Sequence, residues 1–80
     1  MANYPDVNGW KNRETWSAAL TIGNDEGIYR IAKSLDTYKS FVEYVINVFD
    51  IQTTGEGYRW DDPKIDTVAM DSMIAELKDH

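Results

Sequence analysis

The fourteen residues from Tyr38 to Ile51 limit the folds open to this chain more than any other stretch. Tyr38, Phe41, Val42, Tyr44, Val45, Ile46, Val48, Phe49 and Ile51 are apolar, whereas Lys39, Ser40, Glu43, Asn47 and Asp50 are polar. At about 100° per residue the polar set covers only roughly a third of a helix circumference. A helix with so wide an apolar arc belongs at the centre of a fold, against more than one neighbour. Its β-branched content makes a strand the competing reading, but the period and the length favour a helix over about 37–50.

The flanking sequence supplies the neighbours. Asn12 has the side chain of an N-cap, and Trp16, Ala19 and Leu20 then share one face of a helix over about 13–23 that Gly23 is placed to stop. Asn24 offers the cap of a second helix over about 24–35. Asp25 and Glu26 suit the positive end of its dipole, and Ile28, Ile31, Ala32 and Leu35 form an i, i+3, i+4, i+7 stripe. Gly27 is unfavourable in that first turn, which calls either for a close neighbour there or for a later helix start. Asp62-Pro63 resembles a cap followed by a first-turn proline, with Asp66 as a second possible start. Met70, Met73, Ile74 and Leu77 are the buried stripe of a last helix over about 63–78. Gly55 and Gly57 mark a loop, across which Ile51–Thr53 and Tyr58–Trp60 can pair as a short hairpin. The fold class is therefore all-α, a small bundle of three to four helices. The alternative is α+β with a hairpin at about 51–60. Residues 1–80 form one domain, with 1–11 as an extended arm.

With 42% hydrophobic residues the chain has enough apolar mass for one core. It has no cysteine, hence no disulfide or thiolate metal site, which fits a cytoplasmic setting. Its first ten residues lack the pattern of a signal peptide, and no window reaches the roughly 18 apolar residues of a membrane span. The net charge of −6 is uneven: residues 1–49 hold six acids and five bases, residues 50–80 eight acids and three bases. Such a field repels phosphates, so direct nucleic-acid binding is not expected and a basic protein surface is the better target.

Groups able to do chemistry are scarce. The only histidine is His80, at a chain end. Asp61 and Asp62 are adjacent carboxylates, but capping accounts for Asp62 equally well. Asn24-Asp25-Glu26-Gly27 lacks the alternating ligands of a calcium loop. The group Asp61, Asp62 and Asp66 is better explained by capping and solvation than by a cation. No phosphate-binding or dinucleotide motif is present. The expectation is a non-catalytic chain without cofactor or metal.

Aromatic residues carry the remaining signal. Ten rings exceed what so small a core hides. Trp16, Phe41 and Phe49 fall at core positions, whereas Trp10, Tyr58 and Trp60 fall in loops. There they either plug the ends of the bundle or stand exposed as interface anchors. Tyr58-Arg59-Trp60-Asp61-Asp62 has the makeup of a partner-binding loop. Trp10, Asn12 and Glu14 belong to a second dense group, which either locks the first helix or, with Arg13, converges with Asn24-Asp25-Glu26 on one surface. Tyr44, Val48 and Ile51, on the flank of the third helix, would be buried by a homodimer.

The run Trp10-x-Asn12-x-Glu14-Thr15-Trp16, followed by Asn24-Asp25-Glu26-Gly27-x-Tyr29 and by Trp60-x-Asp62-Pro63, resembles an uncharacterised family of small proteins encoded by bacteriophages, cyanophages among them, and by some bacteria. The resemblance spans roughly residues 9–78, and Thr21 stands where it implies a bulky apolar residue. It implies an accessory protein that binds and modulates a host protein in the host cytoplasm; no catalytic residue comes with it. Two other functions follow from the residues themselves: a self-associating structural domain, and a DNA-mimicking inhibitor built on the acidic carboxyl-terminal part.

Overall fold

Every helix among the described residues starts at a side chain that replaces a missing backbone acceptor. The structure, a computed structural model, describes residues 9–79. Helices α1 (Arg13–Asn24), α2 (Glu26–Lys33), α3 (Tyr38–Asn47) and α4 (Thr67–Leu77) are capped by Asn12, Asp25, Thr37 and Asp66. Each cap accepts from the amide three residues on, at 2.9, 3.0, 3.1 and 3.2 Å. The expected all-α bundle is present. The hairpin alternative reduces to one antiparallel bridge between Thr53 and Arg59, with no strand among the described residues. Of the expected N-terminal arm, residues 1–8 lie outside the described residues; Trp10 is half-buried and packs on the core.

Several boundaries differ from the sequence expectation. Asn24 closes α1 instead of capping α2, and Gly23 lies inside α1 rather than stopping it; the extended backbone of Asp25 separates the two helices. The neighbour of Gly27 is the capping carboxylate itself: a Cβ there would stand 3.4 Å from Asp25 Oδ1. Asp62 does not cap α4. Its carboxylate accepts from the Lys64 amide at 2.8 Å and turns the chain, so the last helix waits for Asp66. α3 ends at Asn47 because Asp50 takes the left-handed conformation, φ +57°, and the Ile51 amide folds back onto the Val45 carbonyl at 2.9 Å. Phe49, expected in the core, thereby leaves it and is 49% exposed.

α1 and α3 each pack on α2 and α4 but not on one another. The connection from α3 to α4 links them. Gly55 donates to Thr21 Oγ1 on α1 at 3.0 Å, while Trp60 is fully buried and meets Phe41 of α3 edge to face, with centroids 5.1 Å apart. Trp60 and Ile65 from this connection complete a core of Ala18 and Ile22 (α1), Ile28 and Ala32 (α2), Phe41 and Val45 (α3), and Met70 and Ile74 (α4).

Candidate functional site

The N-terminal motif is a joint between two helix starts. Asn12 Oδ1 accepts from the Thr15 amide at 2.9 Å and from its hydroxyl at 2.6 Å, while Asn12 Nδ2 donates to the Lys64 carbonyl at 2.6 Å. Thr15 Oγ1 in turn accepts from the amide of Asp66, the cap of α4, at 2.9 Å. Glu14 stands 4.0 Å from Lys64 Nζ. These polar groups sit beside the buried Thr15, where an unpaired group costs about 1–3 kcal/mol, so each bond has structural weight. Asn12 thus acts within the fold, whereas Glu14 makes only a 4.0 Å approach to a largely exposed lysine. They do not converge with Asn24, Asp25 and Glu26: those stand at the far end of α1, about 18 Å away at 1.5 Å per residue.

The 54–62 loop is fastened in the same manner. The Tyr58 amide donates to Thr54 Oγ1, the Thr54 hydroxyl pairs with Ser17 Oγ, and Ser17 donates to Glu56. Since Ser17 has one proton, Thr54 must donate to Ser17, and the chain runs in one direction, an arrangement in which each bond strengthens the next. Thr21, unexpected as a polar residue, donates to the Ser17 carbonyl and accepts from Gly55. Arg59 forms two hydrogen bonds to Asp61, at 2.8 and 3.1 Å, and this pairing holds the Asp61 carboxyl below its ordinary value of 3.8. Tyr58 is half-buried.

Trp60 corrects the sequence expectation most directly. Its ring is wholly enclosed and cannot serve as an exposed anchor. Its carbonyl accepts from the Tyr38 hydroxyl at 2.7 Å, and its Nε1 has no hydrogen-bond partner among the described residues. Burial, and then the charges of Asp61 and Asp62, push the Tyr38 phenol well above its ordinary value of 10.0.

Two surface features remain. The first is a cleft of about 780 Å³ between α3 and the 60–67 segment, lined by Val42, Ile46, Trp60 and Ile65, with Glu43, Asp61 and Asp62 on its walls. The second is an apolar patch where α3 ends. Tyr44, Val48, Phe49 and Ile51 are 40%, 61%, 49% and 37% exposed, and the Tyr44 and Phe49 rings lie 5.5 Å apart. Tyr44, Val48 and Ile51 are visible in the sequence as surplus apolar residues on one flank of α3. Phe49 joins them only because the helix stops early.

The acids do not form a free array. Of the eight in residues 50–80, six (Asp50, Glu56, Asp61, Asp62, Asp66 and Asp71) accept hydrogen bonds within the fold. Among the described residues no group of three or more His, Cys, Asp or Glu is placed to hold a metal ion. No helix among them is long and apolar enough to cross a membrane.

A family model described as "Family of unknown function (DUF7249)" matches residues 3–80, and the chain belongs to that family. Comparison with curated proteins and with solved structures found no match.

Proposed function

We propose that this member of a family of unknown function is a small, acidic, non-catalytic domain that binds another protein, and that it serves a phage as an accessory protein that modulates a host protein. The supporting observation is the apolar patch of Tyr44, Val48, Phe49 and Ile51. From their exposures and ordinary side-chain sizes the four present roughly 300–400 Å², the size of a functional patch on a small protein. Two touching aromatic rings among aliphatic residues are the usual composition of an interface centre. The left-handed Asp50 that turns the chain beside them costs about 1 kcal/mol, a strain the fold retains at this surface. These residues replace Trp60 as anchors, and the acids of the chain, Asp61 and Asp62 among them, steer a basic partner.

Self-association through the same patch is less well supported. Two copies would bury roughly 700 Å², short of the roughly 1,200 Å² of a stable complex. Each copy also brings a charge of −6. DNA mimicry has the least support, since most carboxylates of residues 50–80 are engaged in the fold.

The test compares tagged wild-type and Val48→Asp chains as baits in lysate of the native host, both checked for equal helicity by circular dichroism. The expected result is a partner retained by the wild type and lost by Val48→Asp. Equal retention by both refutes the patch, and sedimentation as a dimer that Val48→Asp dissolves would favour self-association.

A further inference from the structure

We propose that the outer edge of residues 51–53 takes an extended, basic segment of a partner protein as an added strand, beside the patch at the end of α3. This rests on the protein-binding reading of that patch and names the form of its partner.

The geometry follows from the bridge between Thr53 and Arg59. The Thr54 amide donates to the Tyr58 carbonyl at 2.7 Å, and the Trp60 amide to the Gln52 carbonyl at 3.2 Å. Those bonds flank the bridged pair, so the N–H and C=O of Thr53 itself point away from Arg59. Neither has a hydrogen-bond partner among the described residues, and Thr53 is exposed. A donor and an acceptor on one residue are what an antiparallel strand engages with a pair of bonds. The fold already fixes this edge at both ends. On one side the Ile51 amide is held by the Val45 carbonyl at 2.9 Å; on the other Thr54 is buried against Ser17 and Gly55 is held by Thr21. An ordered edge lowers the entropy that binding costs.

The edge also lacks a guard. Ile51, Gln52 and Thr53 include neither proline nor a charged side chain, the usual means of keeping other chains off. Side chains alternate along an extended segment, so Ile51 and Thr53 share the face opposite the buried Thr54, and Ile51 is itself part of the patch. An added strand would lie about 4.8 Å beyond, where its alternate side chains extend the apolar surface of Ile51. Residues 40–58 carry Glu43, Asp50 and Glu56 and no base, which selects lysine or arginine between the apolar residues of the partner. A second copy of the chain brings those same acids to the edge and is the poorer occupant.

The full chain, labelled with nitrogen-15, is titrated with the extended peptide Lys-Val-Lys-Val-Lys-Val, with the same peptide N-methylated throughout, and with a Leu/Lys helix of equal charge. The expected result is saturable shifts of the Phe49–Thr53 amides with the extended peptide, and hydrogen exchange at the Thr53 amide slowed about tenfold or more. Affinity should fall about tenfold for the methylated peptide, which keeps the side chains and loses every donor. It should fall as far in Thr53→Pro, which removes no internal bond and is checked for folding by circular dichroism. Equal affinity for the methylated peptide or the helix, no binding, or a dimer that Thr53→Pro dissolves would each overturn the proposal. Shifts at Tyr44, Val48 and Phe49 with Thr53 exchange unchanged would overturn the added strand and leave the patch standing. A host partner lost by Val48→Asp but kept by Thr53→Pro would do the same.

Discussion

Replacing Asn12 by alanine tests whether the most distinctive motif of the sequence is a joint of the fold. The substitution removes the cap of α1, about 1 kcal/mol. It also removes the bond to the Lys64 carbonyl and deprives the buried Thr15 hydroxyl of its acceptor, about 1 kcal/mol each before water compensates at the half-exposed Asn12. A loss of about 2–3 kcal/mol follows. The whole domain, at roughly 0.05–0.15 kcal/mol per residue, has about 4–12 kcal/mol to lose, so the variant folds but melts about 10–20 °C lower. Asn12→Asp keeps both acceptor roles and loses only the donated bond, so it should recover about half of the deficit. Urea unfolding followed by tryptophan fluorescence and circular dichroism measures both variants. An Asn12→Ala chain within about 0.5 kcal/mol of wild type, or an Asn12→Asp chain no better than the alanine, refutes the joint and returns Asn12 to the candidates for partner contact.

Trp60→Ala leaves a cavity at the centre of the fold and should cost about 3–5 kcal/mol, enough to unfold much of the population near 37 °C, whereas Trp60→Phe should stay folded; circular dichroism against temperature separates them. Asp50→Gly should raise stability by about 0.5 kcal/mol, since glycine accepts the left-handed backbone at no steric cost but gives back part of the gain as chain entropy; a fall in the urea midpoint would contradict the turn geometry. The Tyr38 phenol, raised in the folded state, stabilises the fold fully below its unfolded value near 10 and progressively less above it. Alkaline titration watched at the phenolate absorbance should therefore show Tyr38 ionising only together with unfolding.

The elements were legible where local chemistry decided them. Asn12 announces α1, and the apolar stripe from Ile28 to Leu35 announces α2, although Asp25 takes the cap because Asn24 still belongs to α1. Asp62-Pro63 and Asp66 are equivalent helix starts when viewed alone. What selects Asp66 is the hydrogen bond its backbone N–H donates to Thr15 Oγ1, 51 residues earlier, which no local reading contains. Trp60 lies between Gly57 and Asp61, a loop setting that leaves open whether its ring plugs the bundle or stands exposed. Tyr38 and Phe41, some twenty residues back, are what enclose it. Phe49 continues the period of α3 in the sequence, and only the unusual backbone of Asp50 takes it out of the core. The apolar flank of α3 was visible as an excess over what one core needs, and the cleft opposite depended on the path of the 60–67 segment.

The bonds joining residues 12–15 to 64–66 set an order of events when the chain is made. They span 51 and 52 residues, and closing a loop of that length costs about 3.5 kcal/mol of chain entropy. Synthesis runs from the amino terminus, so α1, α2 and α3 emerge while Trp60, Lys64 and Asp66 are still missing. Three helices must wait, their shared apolar faces open, for the arrival of the residues that fill the gap between α1 and α3. The last quarter of the chain is thus the step that turns the segments of α1, α2 and α3 into one cooperative unit, and a ribosome that stops before Trp60 releases a product that carries all three segments and no finished core.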